Sequence, residues 1–574
     1  KEYEATLVGR DPSTDIAVIK IDEGNRYYFG DFVWKGNTKY SADILSKVLG
    51  IQKGDVYNQE LLDKRIGTQV SPDGGEDISS IYMDDGYLFF NIDPQESSIT
   101  NDTINYEMRV VEGPQATIKN ITIVGNDRTN EYVLRRELRT LPGNKFSRSD
   151  LIRTQREIAN LGFFDQEKIG IKPTPNPSDG TVDIEYKLVE KPSDQIELSG
   201  GWGGNGFSTT PTLIGTAGIT LNNFSRKKLF HPEKWSPVPT GDGQKLGLRA
   251  QSNGANYQGY TFSFTEPWFG GKKPNTFSMS IFHTVNSFDF RQKTDPLRQV
   301  FYNTGISVNY GNRLKWPDDF FNLNLIGTYQ HYNISNYNFG SSQIPDGQYN
   351  AYFGRLILSR NSIDQPIYPR SGSNVTLTLQ GTLPYSNFMT ADQISKSNLI
   401  EYYKMKVQAE WYNKVFGNLV LYTKVNFGVL GRYNRNADYT LFERFYLGGS
   451  PMTFSIDGRE IIALRGYTDD YGSNGVTPSN GAVAAAKYTM ELRYPVSLNP
   501  SATIYGLAFM EAGRGWSEVR KLSPFEARKT AGVGVRVFMP MFGLLGFDIG
   551  YGFDNLPNPK WQPTFMLGAS MSGW

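Results

Sequence analysis

The sequence predicts two α+β modules of β-α-α-β-β order followed by an all-β transmembrane barrel of about 16 antiparallel strands. Three observations carry this. An internal repeat relates two stretches of the N-terminal third at an offset of 89 residues. Runs of alternating apolar and polar residues then fill the chain from Gln195 onward. No run approaches the roughly 18 apolar residues of a membrane-spanning helix, yet aromatic residues make up 14% of the chain.

The totals bound the function. At 574 residues the chain exceeds one ordinary core. Lys+Arg 59 against Asp+Glu 58 gives a net charge of +1, which argues against a nucleic-acid partner held by bulk electrostatics. The mean hydropathy of -0.44 is that of a soluble protein, yet it does not exclude a barrel, whose strands show only every second residue to lipid. The densest apolar stretch, Val537 to Phe547, is broken by Pro540, Gly543 and Gly546. There is no cysteine, hence no disulfide and no thiolate ligand or nucleophile.

Residues 1–24 are expected to close a truncated module that precedes the repeat, with Ala17 to Ile21 as a strand. The stretch Ala5 to Ile21 resembles the segment around the catalytic aspartate of HtrA-type serine proteases, with Asp15 in the matching place. A triad also needs a nucleophile in a Gly-rich turn and a histidine base. No G-x-S-G occurs, and the histidines (His231, His283, His331) lie in aromatic or loop contexts. The expectation is no enzyme, no cofactor and no metal site; no G-x-x-x-x-G-K-[ST] nucleotide loop occurs either.

The repeat spans 25–113 and 114–192. It pairs Gly36 with Gly125, Asn37 with Asn126, Leu45 with Leu134, Gly54 with Gly143, Tyr57 with Phe146 and Leu62 with Leu151. In each copy a strand (Phe29 to Trp34; Ile118 to Val124) reaches a Gly-Asn turn, and two short helices follow. In the second copy Val133, Leu134 and Leu138 form one helical face, and Leu151, Ile152, Ile158 and Leu161 the next. The strand Val182 to Leu188 alternates strictly. A unit of this order and size resembles the POTRA domain (polypeptide-transport-associated), whose open sheet edge can accept an extra strand.

From Gln195, alternating runs start near 195, 209, 244, 256, 275, 301, 319, 351, 372, 400, 418, 482, 501, 528, 544 and 563. Sixteen is even, as is expected for a closed single-chain barrel. In one run Tyr488, Met490, Leu492 and Tyr494 share a face opposite Lys487, Thr489, Glu491 and Arg493. The longest connection, 431–481, falls between the eleventh and twelfth runs. It carries Phe445-Tyr446-Leu447-Gly448-Gly449 and then Leu464-Arg465-Gly466-Tyr467, where a long cationic side chain is flanked by an apolar residue and a glycine.

Two POTRA-like modules, sixteen strands and an L-R-G-Y loop resemble the BamA family of outer-membrane protein insertases, from about residue 25 to the C-terminus. The family motif reads V-R-G-F or V-R-G-Y, so Leu464 stands for its valine, and Pro451 to Ile461 is inserted before it. The resemblance implies that Arg465 pairs, inside the lumen, with Glu491 of MELRYP and Glu511 of FMEAGRGW. Alternation independently turns Glu491 inward. Parity is inconclusive for Glu511, because Tyr505, Leu507 and Phe509 share its face.

The first strand carries Leu198, Gly200, Gly201 and Gly203, and the last carries Leu567 and ends at Trp574. Glycine weakens strand pairing, so the first/last join is expected to be the weak seam of the barrel. The implied partners are unfolded outer-membrane β-barrel proteins, accessory assembly lipoproteins or other subunits, and the lipid bilayer, with no nucleic acid. The implied location is the outer membrane, with the POTRA modules in the periplasm. The alternative is a POTRA-barrel translocator of the two-partner secretion type, which exports a polypeptide through its lumen.

Overall fold

The computed structural model describes residues 4–11, 16–22, 25–67, 77–203, 212–235, 237–252, 257–287, 295–318, 320–339, 342–343, 345–365, 367–390, 392–393, 398–435, 437–449, 460–468, 475–499, 502–539, 543–554 and 561–567. They form two compact units, Lys1–Ser193 with Lys228–Asp242, and Asp194–Lys227 with Gly243–Trp574.

The first unit begins with an antiparallel pair, β1 (Glu4–Asp11) and β2 (Ile16–Asp22). The first repeat contains β3 (Tyr28–Lys35), α1 (Ala42–Leu49), α2 (Gln59–Ile66), α3 (Ile78–Asp84), β4 (Asn91–Thr100) and β5 (Thr103–Val111). Its sheet order is β3-β5-β4, with β3 parallel to β5. The second contains β6 (Thr117–Val124), α4 (Glu131–Arg135), α5 (Arg148–Asn160), β7 (Gly170–Asn176) and β8 (Thr181–Lys187), ordered β6-β8-β7 with β6 parallel to β8.

The 89-residue offset has a backbone cause. Tyr28 bridges Val56 as Thr117 bridges Lys145. Gly36 and Gly125 have φ of 86° and 87°, and a Cβ there would lie 2.2 Å and 1.9 Å from the carbonyl oxygens of Val110 and Leu188. Only glycine lets the first strand turn so close to its parallel neighbour. The next residue caps the turn: Asn37 donates to the Tyr40 carbonyl and Asn126 to that of Thr129.

Two expectations are corrected. The first repeat holds three helices, because α2 ends at Gly67 in the left-handed region and α3 starts afresh at Asp77, whose carboxylate accepts from the Ser80 N–H. In the second repeat Ile152 points outward at 39% exposure. The buried place on α5 goes to Thr154, whose hydroxyl accepts from the Arg139 N–H. A hydroxyl with a backbone partner can sit inside a module whose apolar core is already supplied by Val133, Leu134, Ile158 and Tyr186.

The second unit is a 16-stranded sheet in which each strand pairs antiparallel with the next. Strands one to five are Gln195–Gly203, Thr212–Phe224, Gln244–Ser252, Tyr257–Glu266 and Thr276–Ser287. Strands six to ten are Val300–Arg313, Phe321–Ser335, Gly347–Asn361, Gly372–Thr382 and Tyr403–Phe416. Strands eleven to sixteen are Leu419–Gly431, Ala484–Asn499, Ala502–Trp516, Arg528–Met539, Gly543–Gly552 and Trp561–Leu567. Every one starts within four residues of its predicted position.

Polarity sorts the faces. On strand twelve Met490, Leu492 and Tyr494 are exposed, while Thr489, Glu491 and Arg493 are buried. An apolar outer and a polar inner face suit a lipid-embedded barrel. Strand one, with Gly200, Gly201 and Gly203, pairs with strand two, and strand sixteen with strand fifteen. No pairing joins strands one and sixteen among the described residues. Leu198 is 80% exposed; Leu567 closes the described part of strand sixteen, and Trp574 lies outside the described residues.

Candidate functional site

The long connection after strand eleven folds back into the barrel. Phe445–Leu447 pairs in parallel with Glu460–Ile462. Backbone groups fix this ladder on both sides: the Phe445 N–H donates to the Ala482 carbonyl at 2.9 Å, and the Leu447 N–H to the Thr477 hydroxyl at 2.7 Å. Gly448 N–H reaches the Ile462 carbonyl and Gly449 N–H the Tyr467 carbonyl, so the Gly-Gly pair ties the two motifs together. Phe445, Tyr446 and Leu447 are all buried. Phe445, Leu447, Ile462, Leu464 and Tyr467 enter one apolar cluster with Phe301, Tyr332 and Phe353 of strands six to eight. Of the inserted residues, 451–459 lie outside those described.

The L-R-G-Y segment ends against strands twelve to fifteen. Arg465 Nη2 lies 2.7 Å from Glu491 Oε1 and 2.7 Å from Glu511 Oε1. Its Nη1 lies 3.2 Å from Asp548 Oδ2, and its backbone N–H donates to Glu511 Oε2 at 3.0 Å. The guanidinium stacks 3.6 Å from the centre of the Phe509 ring. Arg465 is 5% exposed. A planar fork presents several donors to carboxylates in one plane while its face stacks on a ring.

The neighbours of Arg465 complete the anchor. Gly466 has φ 86°, and a Cβ on it would lie 2.4 Å from Thr530 Oγ1. Across the gap, a Cβ on Gly550 would lie 2.8 Å from the Gly466 nitrogen. The Tyr467 hydroxyl donates to Asp554 at 2.5 Å and reaches the Lys529 carbonyl at 3.0 Å. Leu464 is fully buried.

Sequence reasoning placed Arg465 with Glu491 and Glu511, and both are in contact with it. Glu511 points inward together with Tyr505, Leu507 and Phe509, since the lumen here is packed with aromatic rings. The reasoning missed the third carboxylate, Asp548, and the cations behind the three. Arg536 grips Asp548 with two bonds, 2.6 Å and 2.9 Å, both residues fully buried. Arg493 lies 2.7 Å from Glu491 and over the Tyr422 ring, and Lys487 lies 3.0 Å from Glu511. A signal was present: Asp548 stands between Phe547 and Ile549, and Arg536 between Val535 and Val537, so an isolated charge on each strand had to point inward. Among the described residues no group of three or more His, Cys, Asp or Glu is arranged to hold a metal ion.

Comparison with known proteins agrees with this architecture. Residues 240–572 match the Omp85 superfamily domain. Residues 27–113 and 116–191 each match the POTRA model, described as surface antigen variable number repeat. Outer membrane protein assembly factor BamA of Neisseria meningitidis serogroup B is 24% identical over 526 residues, covering 87% of this chain and 58% of the relative. The chain thus spans less than two thirds of that relative's length. The crystal structure of BamA from Haemophilus ducreyi lacking POTRA domains 1-3 superposes with a TM-score of 0.59 at 19% identity, covering 94% of this chain and all of that one. CdiB from Escherichia coli shares the fold at a TM-score of 0.53 and 13% identity, over 97% of this chain and 92% of that one. With two POTRA modules ahead of sixteen strands and the motif arginine bound to strand carboxylates, the chain belongs to the Omp85 superfamily.

Proposed function

We propose that this chain is the barrel subunit of an outer-membrane protein assembly machinery, which folds and inserts β-barrel clients at the edge of its first strand. Its family places the barrel in the outer membrane and the POTRA modules in the periplasm. The observation that carries the reading is the contrast between lumen and seam. The lumen holds an apolar cluster and a guanidinium bound by three carboxylates, whereas strand one carries Gly200, Gly201 and Gly203, which weaken its pairing. A client strand could pair with strand one and bury its apolar face in lipid. That burial supplies the free energy, so no reaction chemistry is needed. The POTRA edges would meet the unfolded client, and accessory lipoproteins or other subunits would assist.

The rival, a translocator of the two-partner secretion type, shares the architecture but must pass a polypeptide through the lumen. The packed loop opposes that. The absence of cysteine allows a direct test. One cysteine is placed at Leu198 and one at Leu567, with neighbours scanned for register, and client insertion is compared before and after oxidation. Insertion that stops on oxidation and returns on reduction supports the edge mechanism. Client handling unaffected by the cross-link moves the traffic into the lumen and supports the translocator.

A further inference from the structure

A second ionic centre lies in the lumen, on strand ten, away from the Arg465 carboxylates. Lys404 is 2% exposed. Its Nζ lies 2.5 Å from Glu460 Oε2, 3.2 Å from Glu443 Oε2 and 2.8 Å from the Glu443 carbonyl oxygen. It also sits 4.3 Å from the centre of the Phe445 ring. Lys406, on the same face of strand ten, takes the other oxygen of Glu460 at 2.5 Å. Tyr402 donates to Glu443 Oε1 at 3.0 Å.

The position of the two glutamates gives this centre its meaning. Glu443 lies just before one strand of the loop ladder, Phe445–Leu447, and Glu460 opens the other, Glu460–Ile462. One ammonium therefore grips both strands of the parallel ladder where they begin. Two three-residue strands alone are marginal. The L-R-G-Y segment leaves the ladder three residues after Ile461 and ends on strands twelve, thirteen and fifteen. The loop is thus held on strand ten at one end and on the far strands at the other.

We propose that Lys404 is a positioning residue: acting through Glu443 and Glu460, it sets the loop ladder as a second anchor, separable from the Arg465 anchor. Lys406 supports only the Glu460 half. The bearing of this anchor on client insertion rests on the insertase reading, but the anchor itself does not.

Hydrogen exchange followed by mass spectrometry on the full chain in lipid nanodiscs tests it. In Lys404→Met, amides of 443–448 and 460–463 should exchange at least about tenfold faster, while 465–467 keep their protection. Arg465→Gln should show the reverse pattern. Lys404→Arg should restore ladder protection, and Lys406→Met should loosen only 460–463. Because Lys404→Met takes the ammonium away from two carboxylates at once, the double variant Lys404→Met with Glu460→Gln is run beside it and should loosen the ladder in the same way. Ladder exchange that stays at the wild-type rate in both variants overturns the proposal. So does simultaneous loosening of the ladder and 465–467 in either single-anchor variant, since the loop would then have one cooperative anchor. Neither result depends on whether the wild-type protein inserts clients.

Discussion

Arg465 shows how one side chain can hold a loop across a barrel. Its three carboxylate partners are buried and the Phe509 ring covers it, so removing the guanidinium takes a buried partner from each carboxylate and leaves Glu491, Glu511 and Asp548 to Arg493, Lys487 and Arg536 alone. Losing a hydrogen bond to a charged group costs about 1.5–3 kcal/mol. Arg465→Gln should therefore undock the L-R-G-Y segment, read as protease sensitivity near 464–467 and as a loss of client insertion. Arg465→Lys should recover only part, because an ammonium cannot bridge the same set. Burial also shields the cluster from salt, so loop protection should change little between about 0.05 and 0.5 M salt. Gly466→Ala adds strain at φ 86° and a clash with Thr530, and should weaken docking although the arginine is intact.

At the scale of the element, the POTRA repeats are built on a turn that each copy satisfies with a glutamate. In the first, Glu112 accepts from the backbone N–H of Thr38 and Lys39, from the Thr38 hydroxyl and from the Tyr82 hydroxyl. In the second, Glu190 accepts from the N–H of Arg128 and Thr129. Burial alone would raise the Glu112 pKa; the hydrogen bonds more than offset it, and the net shift is downward. A depressed folded pKa contributes stability that is present above the unfolded value of about 4.3 and is lost as pH falls through the folded one. Protection of the first module should therefore decline in acid below about pH 4.3, and Glu112→Gln should flatten that dependence. If the two curves superpose, Glu112 does not carry it. Gly125→Ala, which would press a Cβ against the Leu188 carbonyl, should lower the melting temperature of the second module.

For the whole molecule, the consequence is a barrel whose lumen is braced by its own loop. Reconstituted wild-type protein should conduct ions poorly. Arg465→Gln should raise the open probability in planar-bilayer recordings, because loosening the loop unblocks the pore. Equal conductance in both would show that the loop does not seal the lumen.

Strand number, strand positions, the 89-residue repeat and the identity of the motif arginine were all legible in the sequence. Each follows from local rules: alternation with period two, glycine at a positive φ, and a charge flanked by apolar residues. Glu491 could be placed by that alternation alone. The third helix of the first repeat, the outward turn of Ile152, and the roles of Asp548, Arg536 and Lys404 could not be ordered from one strand at a time. The first two depend on packing inside the POTRA modules, and the rest on which side chains meet inside the barrel, as Arg465 meets Asp548 across 83 residues of sequence. A sequence shows that a charge must face inward; only the closed packing of loop against strands decides which opposite charge, and which aromatic ring, it finds there.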